Sequence, residues 1–266
     1  MKSISILLLT SLFLFSCSSD KIDYVEKAKG IQDAAEQVSY VAGVISEKMD
    51  NDDFATLASM LTKGYVKLER WDDLSRLAGL VSEHKSKSSQ ILNRIAWSLL
   101  ENDQHPETAL EAAAKTVEWA ENMDLSVVPD EYSEAAYRQR MDWCLSSYLD
   151  TYARALFEQE KFTEAETILL KAIELDGENP GALLRLAQIY LKHDKAEAAY
   201  DLSVKAHIYG DEEAVETAQQ AFEQMKDSKR VFEKYLANSV TELQDEQLRE
   251  LIENRLDIEA PDFTLK

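Results

Sequence analysis

A repeat of 34 residues is the feature that most constrains how this chain can fold. The large and small residues that recur at this spacing form seven pairs: Leu149 and Leu183, Tyr152 and Leu186, Ala153 and Ala187, Leu156 and Tyr190, Ala165 and Ala199, Leu169 and Ser203, and Ala172 and Ala206. Within one unit they are spaced by three and four residues, which predicts two amphipathic helices. Such units cannot bury their apolar faces alone, so we expect three or more to stack around one continuous core.

The stretch ALFEQEKFTEAETILLKAIELDGENP, at 155–180, resembles the tetratricopeptide repeat family over nearly its whole length. Gly177 stands where the family usually has proline, and Asn179–Pro180 begins the next unit. The resemblance implies an all-α fold, a tetratricopeptide-like superhelix of antiparallel helix pairs. It places two regular units at 146–179 and 180–213.

Two earlier stretches have the same shape. LNRIAWSLLENDQHPETALEAAAKTVEWA predicts a unit at 89–122, with an interhelix loop about one residue longer than usual and with Pro106 opening the second helix. FATLASMLTKGYVKLERWDDLSRLAGLV predicts a degenerate unit at 51–84. The repeats together are expected to cover 51–228.

Further helices are predicted around these units. The pattern over 24–49 predicts one long amphipathic helix that caps the array, and Asp130 is placed to N-cap a long helix leading into the third unit. The 34-residue pattern fades after the repeats, so 229–258 is predicted to be a helical linker. Its apolar residues indicate two short helices, at 231–236 and 245–256.

The N-terminus has the pattern of an export signal. Lys2 precedes an almost wholly apolar run at 4–15, which is too short to span a bilayer but suits the apolar region of a signal peptide. The string Leu14-Phe15-Ser16-Cys17 that follows resembles the lipobox of bacterial lipoproteins. The resemblance implies a signal peptide at 1–16 and a lipidated cysteine, Cys17. The alternative is an ordinary secretory signal with an incidental cysteine.

Lipidation would decide where the protein resides. Several acyl chains on Cys17 would anchor the chain to a membrane, with 17–50 forming the lipidated N-terminus and the capping helix. Ser18, rather than Asp, follows the cysteine, which by resemblance to Gram-negative lipoproteins favours the outer membrane. We therefore expect an envelope protein that faces the periplasm.

The C-terminal residues have a different character. Pro261 forbids a continued helix, and the string Ala-Pro-Asp-Phe-Thr-Leu at 260–265 resembles the opening strand of the redoxin group, which includes peroxiredoxins and TlpA-like thiol–disulfide proteins. The resemblance implies that 259–266 starts a thioredoxin-like domain whose active-site cysteine is missing from this chain. The alternative is a tail without a fold of its own.

Composition argues against several classes of function. Asp and Glu number 50 against 29 Lys and Arg, giving a net charge of -21, which disfavours nucleic acid and anionic lipid as partners. The 7 glycines form no phosphate-binding or dinucleotide motif. Cys144 is interpreted as a buried, inert cysteine. We expect no catalytic residue, metal or cofactor in this chain, and we interpret the scattered histidines as surface or turn residues: His84, His105, His193 and His207.

The concave side of the superhelix is the predicted binding surface, because helix A residues line it in such arrays. The candidate residues are those on A helices that packing does not claim, and they are Asn93, Arg94, Asp150, Arg154, Arg185 and Gln188. Asn and Arg side chains make directional contacts with a peptide or a carboxylate. The expected partner is a protein or peptide.

Three functions remain open at this point. The chain is a scaffold that binds a partner protein, or the helical arm of a thiol–disulfide oxidoreductase, or a structural element that only spaces other subunits of the envelope. The sequence does not separate the first from the third.

Overall fold

The computed structural model describes residues 23–46, 49–226 and 232–256, and throughout these ranges the regular structure is α-helical. The predicted signal peptide, Cys17 and the predicted start of a thioredoxin-like domain at 259–266 lie outside the described residues. The helices are α1 (Tyr24–Gly30), α2 (Ala34–Val44), α3 (Asn51–Lys67), α4 (Trp71–Glu83), α5 (Ser89–Glu101), α6 (Pro106–Glu121), α7 (Glu134–Glu158), α8 (Phe162–Leu175), α9 (Pro180–Lys192), α10 (Ala196–Ile208), α11 (Ala214–Lys226) and α12 (Phe232–Leu256).

The helices from α3 to α10 form antiparallel pairs, A then B, and the A helices α3, α5, α7 and α9, followed by α11, contact one another in series along one side. The predicted all-α superhelix is therefore confirmed. Among the described helices, none combines the length and the apolar character that a bilayer-spanning segment requires.

The turn between helix A and helix B has the same backbone in four units. In each turn an amide reaches back five residues to a carbonyl of helix A, as Arg70 does to Tyr65 at 2.9 Å and Lys195 to Tyr190 at 2.9 Å. In each turn the residue before this amide has positive φ, and these residues are Glu69, Asp103, Glu160 and Asp194. The turn between α5 and α6 has a second residue with positive φ, His105. This is the hydrogen bond of a Schellman helix end, formed without glycine. The predicted degenerate unit thus closes its hairpin in the same way as the regular ones.

Alanines fill the crossings between helices in the two regular units. Ala153, Ala165, Ala172, Ala187 and Ala199 are all fully buried. Because a methyl group occupies so little space, adjacent helices approach closely and the leucines between them interlock. The prediction that small residues at the 34-residue spacing face the core is confirmed.

The N-terminal segment differs from its prediction. Instead of one helix over 24–49 the chain forms α1 and α2, because Asp33 caps α2 by accepting a hydrogen bond from the Glu36 amide at 2.8 Å. The Gln37 side chain donates to the Ala28 carbonyl at 2.9 Å and so ties the end of α1 to α2. A local capping signal thus ends a helix that the apolar pattern alone would continue.

His84 lies in the turn after α4, as predicted, but it is not at the surface. Its side chain is buried, and its ring stacks on Phe54 with centroids 3.6 Å apart and an interplanar angle of 6°. The Ser86 amide donates to His84 Nδ1 at 3.1 Å, so Nε2 carries the proton and donates to the Met49 carbonyl at 3.3 Å. Stacking and two hydrogen bonds allow this polar ring to join the core.

Two helix boundaries beyond the second unit were predicted wrongly. The N-cap of α7 is Ser133, whose hydroxyl accepts from the Ala136 amide at 3.2 Å, and not Asp130. The two short helices predicted within 229–258 are one helix, α12. Phe232 and Tyr235 of α12 pack on Phe222 of α11 with ring centroids 5.7 and 5.1 Å apart, so this segment joins the packed array.

Candidate functional site

The A helices α5, α7 and α9 line an open groove of about 1120 Å³, and the loop at 210–213 also lines it. Four of the six predicted binding residues line it: Asp150, Arg154, Arg185 and Gln188. They converge because each lies on the concave side of an A helix, and the stacking of units brings successive A helices together. Whether they bind a partner remains a prediction.

Asp150 and Arg185 were expected to be free of packing, but they bind each other. Arg185 Nε and Nη2 donate to the two carboxylate oxygens of Asp150, each at 2.8 Å. Burial by itself would lower the pKa of Arg185, yet the charge and hydrogen bonds of Asp150 outweigh it and raise that pKa. The pair is a mostly buried, two-point ion pair between neighbouring A helices, so its arginine is not available to bind a carboxylate.

Gly181 makes this ion pair possible. A Cβ atom at this position would lie 2.7 Å from Asp150 Oδ2 and 3.0 Å from Arg185 Nη2, both inside normal contact distances. The absence of a side chain in the first turn of α9 therefore leaves room for the carboxylate to reach the guanidinium.

Trp97 of α5 lies at the centre of the groove and was not among the predicted residues. The guanidinium carbons of Arg154 and Arg185 lie 4.7 and 5.6 Å from its ring centroid, within the range of cation–π attraction. Arg154 Nε also donates to Glu158 at 3.0 Å. Both groove arginines thus already have an acidic partner and an aromatic partner. The available sequence signal was that Trp97 follows Arg94 by three residues, on the same face of its helix.

Acidic side chains dominate the remainder of the groove and were also missed. Six of its lining residues are carboxylates and two are arginines. Two of the carboxylates, Asp150 and Glu158, pair with the arginines. Asp211 also interacts electrostatically with Arg185, and three carboxylates form no ion pair within the described part of the chain: Glu101, Glu212 and Glu213. Since three of the four acidic residues lie after helix α10 and the fourth ends α5, the sequence offered no common pattern to group them.

The other two predicted residues lie apart from this groove. Arg94 lines a smaller groove between α3 and α5, and its Nη1 lies 3.4 Å from Ser59 Oγ. Arg94 in α5 and Arg185 in α9 occupy equivalent positions, because each lies five residues before the carbonyl that accepts the turn hydrogen bond of its unit. Each of the two side chains accordingly contacts the preceding A helix. Asn93 Oδ1 is buried and accepts no hydrogen bond within the described residues.

The described residues show no arrangement suited to catalysis at Cys144. Burial raises the pKa of the Cys144 thiol, and burial also raises the pKa of the nearby Tyr148 to about 12. A thiol with a raised pKa is a poor nucleophile at neutral pH. No group of three His, Cys, Asp or Glu side chains in the described ranges is placed to hold a metal ion.

Comparison with known proteins bears on one part of this array. No curated protein sequence matches the chain significantly. The sequence profile of the tetratricopeptide repeat matches residues 152–202, which run from the last two turns of α7 to the middle of α10. This match covers all of α8 and α9, where the 34-residue spacing is most regular. Residues 152–202 are therefore a tetratricopeptide repeat, set within an all-α superhelix of stacked helix pairs.

Proposed function

We propose that this chain is a lipid-anchored scaffold of the bacterial envelope whose concave groove holds a protein or peptide. The observation that carries the proposal is the groove itself, about 1120 Å³ in volume and lined by three successive A helices. Helical-repeat proteins use this concave surface for binding, and the tetratricopeptide match at 152–202 covers α9 and the end of α7. The side chains there form ion pairs and a cation–π cluster rather than a reactive constellation.

The envelope location rests on the sequence. The lipobox-like string ending at Cys17 supports an anchor facing the periplasm, in the outer membrane of a Gram-negative bacterium. Replacing Cys17→Ser in the full-length gene tests this part alone. We expect the wild-type protein to fractionate with outer membranes and to incorporate labelled fatty acid, and the variant to do neither. A variant that stays membrane-bound and labelled would contradict the lipid anchor.

The binding function needs a variant that fills the groove without breaking its ion pairs. Gln188 lines the groove and is half-buried, so Gln188→Trp should occlude it while leaving the arginine pairs in place. Leu170→Trp is the matched control, because Leu170 is 49% exposed on α8 and lies outside the groove. Each variant is used as bait in a detergent extract of the envelope, with a photo-crosslinker in place of residue 188 or 170 as a second readout.

We expect a defined protein to be retained by the wild type and by Leu170→Trp, and to be lost with Gln188→Trp. We also expect crosslinks from position 188 and none from position 170. Equal retention by all three baits would contradict binding in the groove and would favour a purely spacing role for the array.

A second candidate function rests on the redoxin-like string at 260–265, which favours a helical arm attached to a thiol–disulfide oxidoreductase. The coding sequence beyond the Lys266 codon tests it. A Trp-Cys-x-x-Cys motif within about a hundred codons would support this candidate, since that spacing suits a thioredoxin-like domain. Unrelated sequence there would remove it.

A further inference from the structure

We infer that the groove selects a basic peptide segment, one whose lysine or arginine side chains meet the carboxylates around Trp97. This inference rests on the proposed binding function and concerns the chemistry of the partner. The shape of the groove defines where a segment binds, and the charges that remain after internal pairing define which segment fits.

A bound segment would meet the charges that internal pairing leaves in the groove. Arg185 neutralises Asp150 in an ion pair of 2.8 Å, and Arg154 neutralises Glu158 in an ion pair of 3.0 Å. Glu101, Glu212 and Glu213 remain, Asp211 adds its charge next to Arg185, and no basic side chain other than those two arginines lines the groove. A carboxylate-bearing segment would therefore be repelled, and a cationic segment attracted.

Ordinary helix electrostatics account for the carboxylates at 211–213, which directly precede α11, but not for Glu101. Glu101 is the last residue of α5 and Glu158 is the last of α7. A carboxylate at the C-terminal end of a helix is unfavourable, because the helix dipole is negative there. Glu158 is compensated by Arg154, whereas Glu101 has no such partner in the described part of the chain. Its cost would be offset by a cation supplied from outside.

The acidity is local to this groove. The smaller groove between α3 and α5 is lined by two basic residues, Lys63 and Arg94, and has no carboxylate among its lining residues. Both grooves lie on A helices of the same array, so the net charge of the chain does not by itself make every concave surface acidic. The two surfaces would favour opposite charges in a partner.

The test measures peptide binding to the purified full chain in mild detergent by fluorescence anisotropy. Three labelled peptides of about a dozen residues alternate alanine with lysine, glutamate or glutamine, and are compared at low and high salt. We expect the lysine peptide to bind about tenfold or more tightly than the other two, and salt to weaken that binding because the charges are exposed. Equal binding of the glutamine or glutamate peptide would overturn the inference.

Charge reversal separates the groove from the general acidity of the chain. Glu212→Lys with Glu213→Lys removes two groove carboxylates. Glu111→Lys with Glu174→Lys makes the same change in net charge on exposed positions of α6 and α8, outside the groove. Each exposed charge should contribute about two- to fivefold to the affinity. We therefore expect the groove pair to weaken binding of the lysine peptide by about fivefold or more, and the outer pair to change that binding by less than about twofold. Equal losses would overturn the inference.

The Glu101→Lys variant separates a loss of binding from a loss of folding. A lysine at the end of α5 suits the helix dipole, so the variant should melt no lower than the wild type while binding the lysine peptide about two- to fivefold more weakly. Unchanged binding would count against the inference.

Crosslinking from position 188 separates this inference from the binding function. If a partner still crosslinks when the lysine peptide is in excess, the basic-segment inference is contradicted and the binding function stands. If no partner crosslinks under any condition, the binding function is contradicted as well.

Discussion

The two regular units at 146–213 and the N-terminal segment at 23–84 form the same kind of helix pair with different side chains. In the regular units fully buried alanines occupy the crossings, and leucines such as Leu169 fill the space between them. In the N-terminal segment large side chains dominate the interior, and the buried ring of His84 stacks on Phe54. Both regions nevertheless close helix A onto helix B through the same five-residue backbone hydrogen bond.

The difference teaches that the helix pair is specified by its turn and by its apolar face, whereas the alanines specify how closely units approach. A unit without the alanine pattern still forms, provided that other side chains fill the wider crossing. The N-terminal segment has one close crossing of its own, where Val38 of α2 lies against Gly64 of α3. The variants below test whether close crossings over small residues carry the stability of each region.

The largest effect is expected in the regular units. Ala187→Leu places three more carbon atoms at a fully buried crossing, and overpacking should lower the free energy of unfolding by about 3 kcal/mol. Ala135→Leu is the control, because Ala135 is exposed in the first turn of α7, and it should change stability by less than about 0.5 kcal/mol. Urea unfolding followed by circular dichroism measures both. A near-neutral Ala187→Leu would mean that the alanines are not needed.

A smaller effect is expected at the crossing in the N-terminal segment. A Cβ atom on Gly64 would lie 2.2 Å from Val38 Cγ2, so Gly64→Ala should destabilise by about 1–2 kcal/mol, the overpacking cost less the gain in helix propensity. Gly79→Ala, in α4 with nothing within 4 Å of its Cβ, should instead stabilise by up to about 1 kcal/mol. A lower melting temperature for Gly64→Ala and a higher one for Gly79→Ala would support a close crossing at Gly64. An equal rise in melting temperature for both variants would show that Val38 of α2 does not pack tightly against Gly64.

The smallest effect concerns a charge cluster in the N-terminal segment. Partial burial would raise the pKa of Asp73, but hydrogen bonds and charge from Arg70, at 2.6 Å, and from Arg76 outweigh it and lower that pKa. A lowered pKa stabilises the fold fully above the unfolded value, about 3.9, and the contribution is lost as the pH falls through the lower folded pKa. Asp73→Asn should therefore cost under about 1 kcal/mol at pH 7 and progressively less as the pH falls below about 4.

A double-mutant cycle is the control for this pH dependence. In a background with Arg70→Gln and Arg76→Gln, replacing Asp73 should have little effect at any pH, because its partners are gone. A pH-independent cost of Asp73→Asn in the original background would assign its role to helix capping instead of to the arginines.

The sequence by itself determined the all-α fold, the stacking of helix pairs and the burial of alanines at the 34-residue spacing. These follow from local periodicity, since residues three and four apart share a helix face and a fixed period repeats each contact. The same reasoning placed Asp150, Arg154, Arg185 and Gln188 on the concave side, where the structure brings them into one groove. It failed at the ends of the array, where capping and aromatic contacts set the helix bounds.

Only the tertiary structure decided which of these side chains remain available. Arg185 and Asp150 are 35 residues apart, and their pairing depends on how far one A helix is shifted along the next and on the missing side chain at Gly181. The groove charge likewise depends on bringing Glu101 near the loop before α11. Periodicity identifies the face of a helix, but it does not specify the offset between neighbouring helices, and that offset sets the pairing of charges.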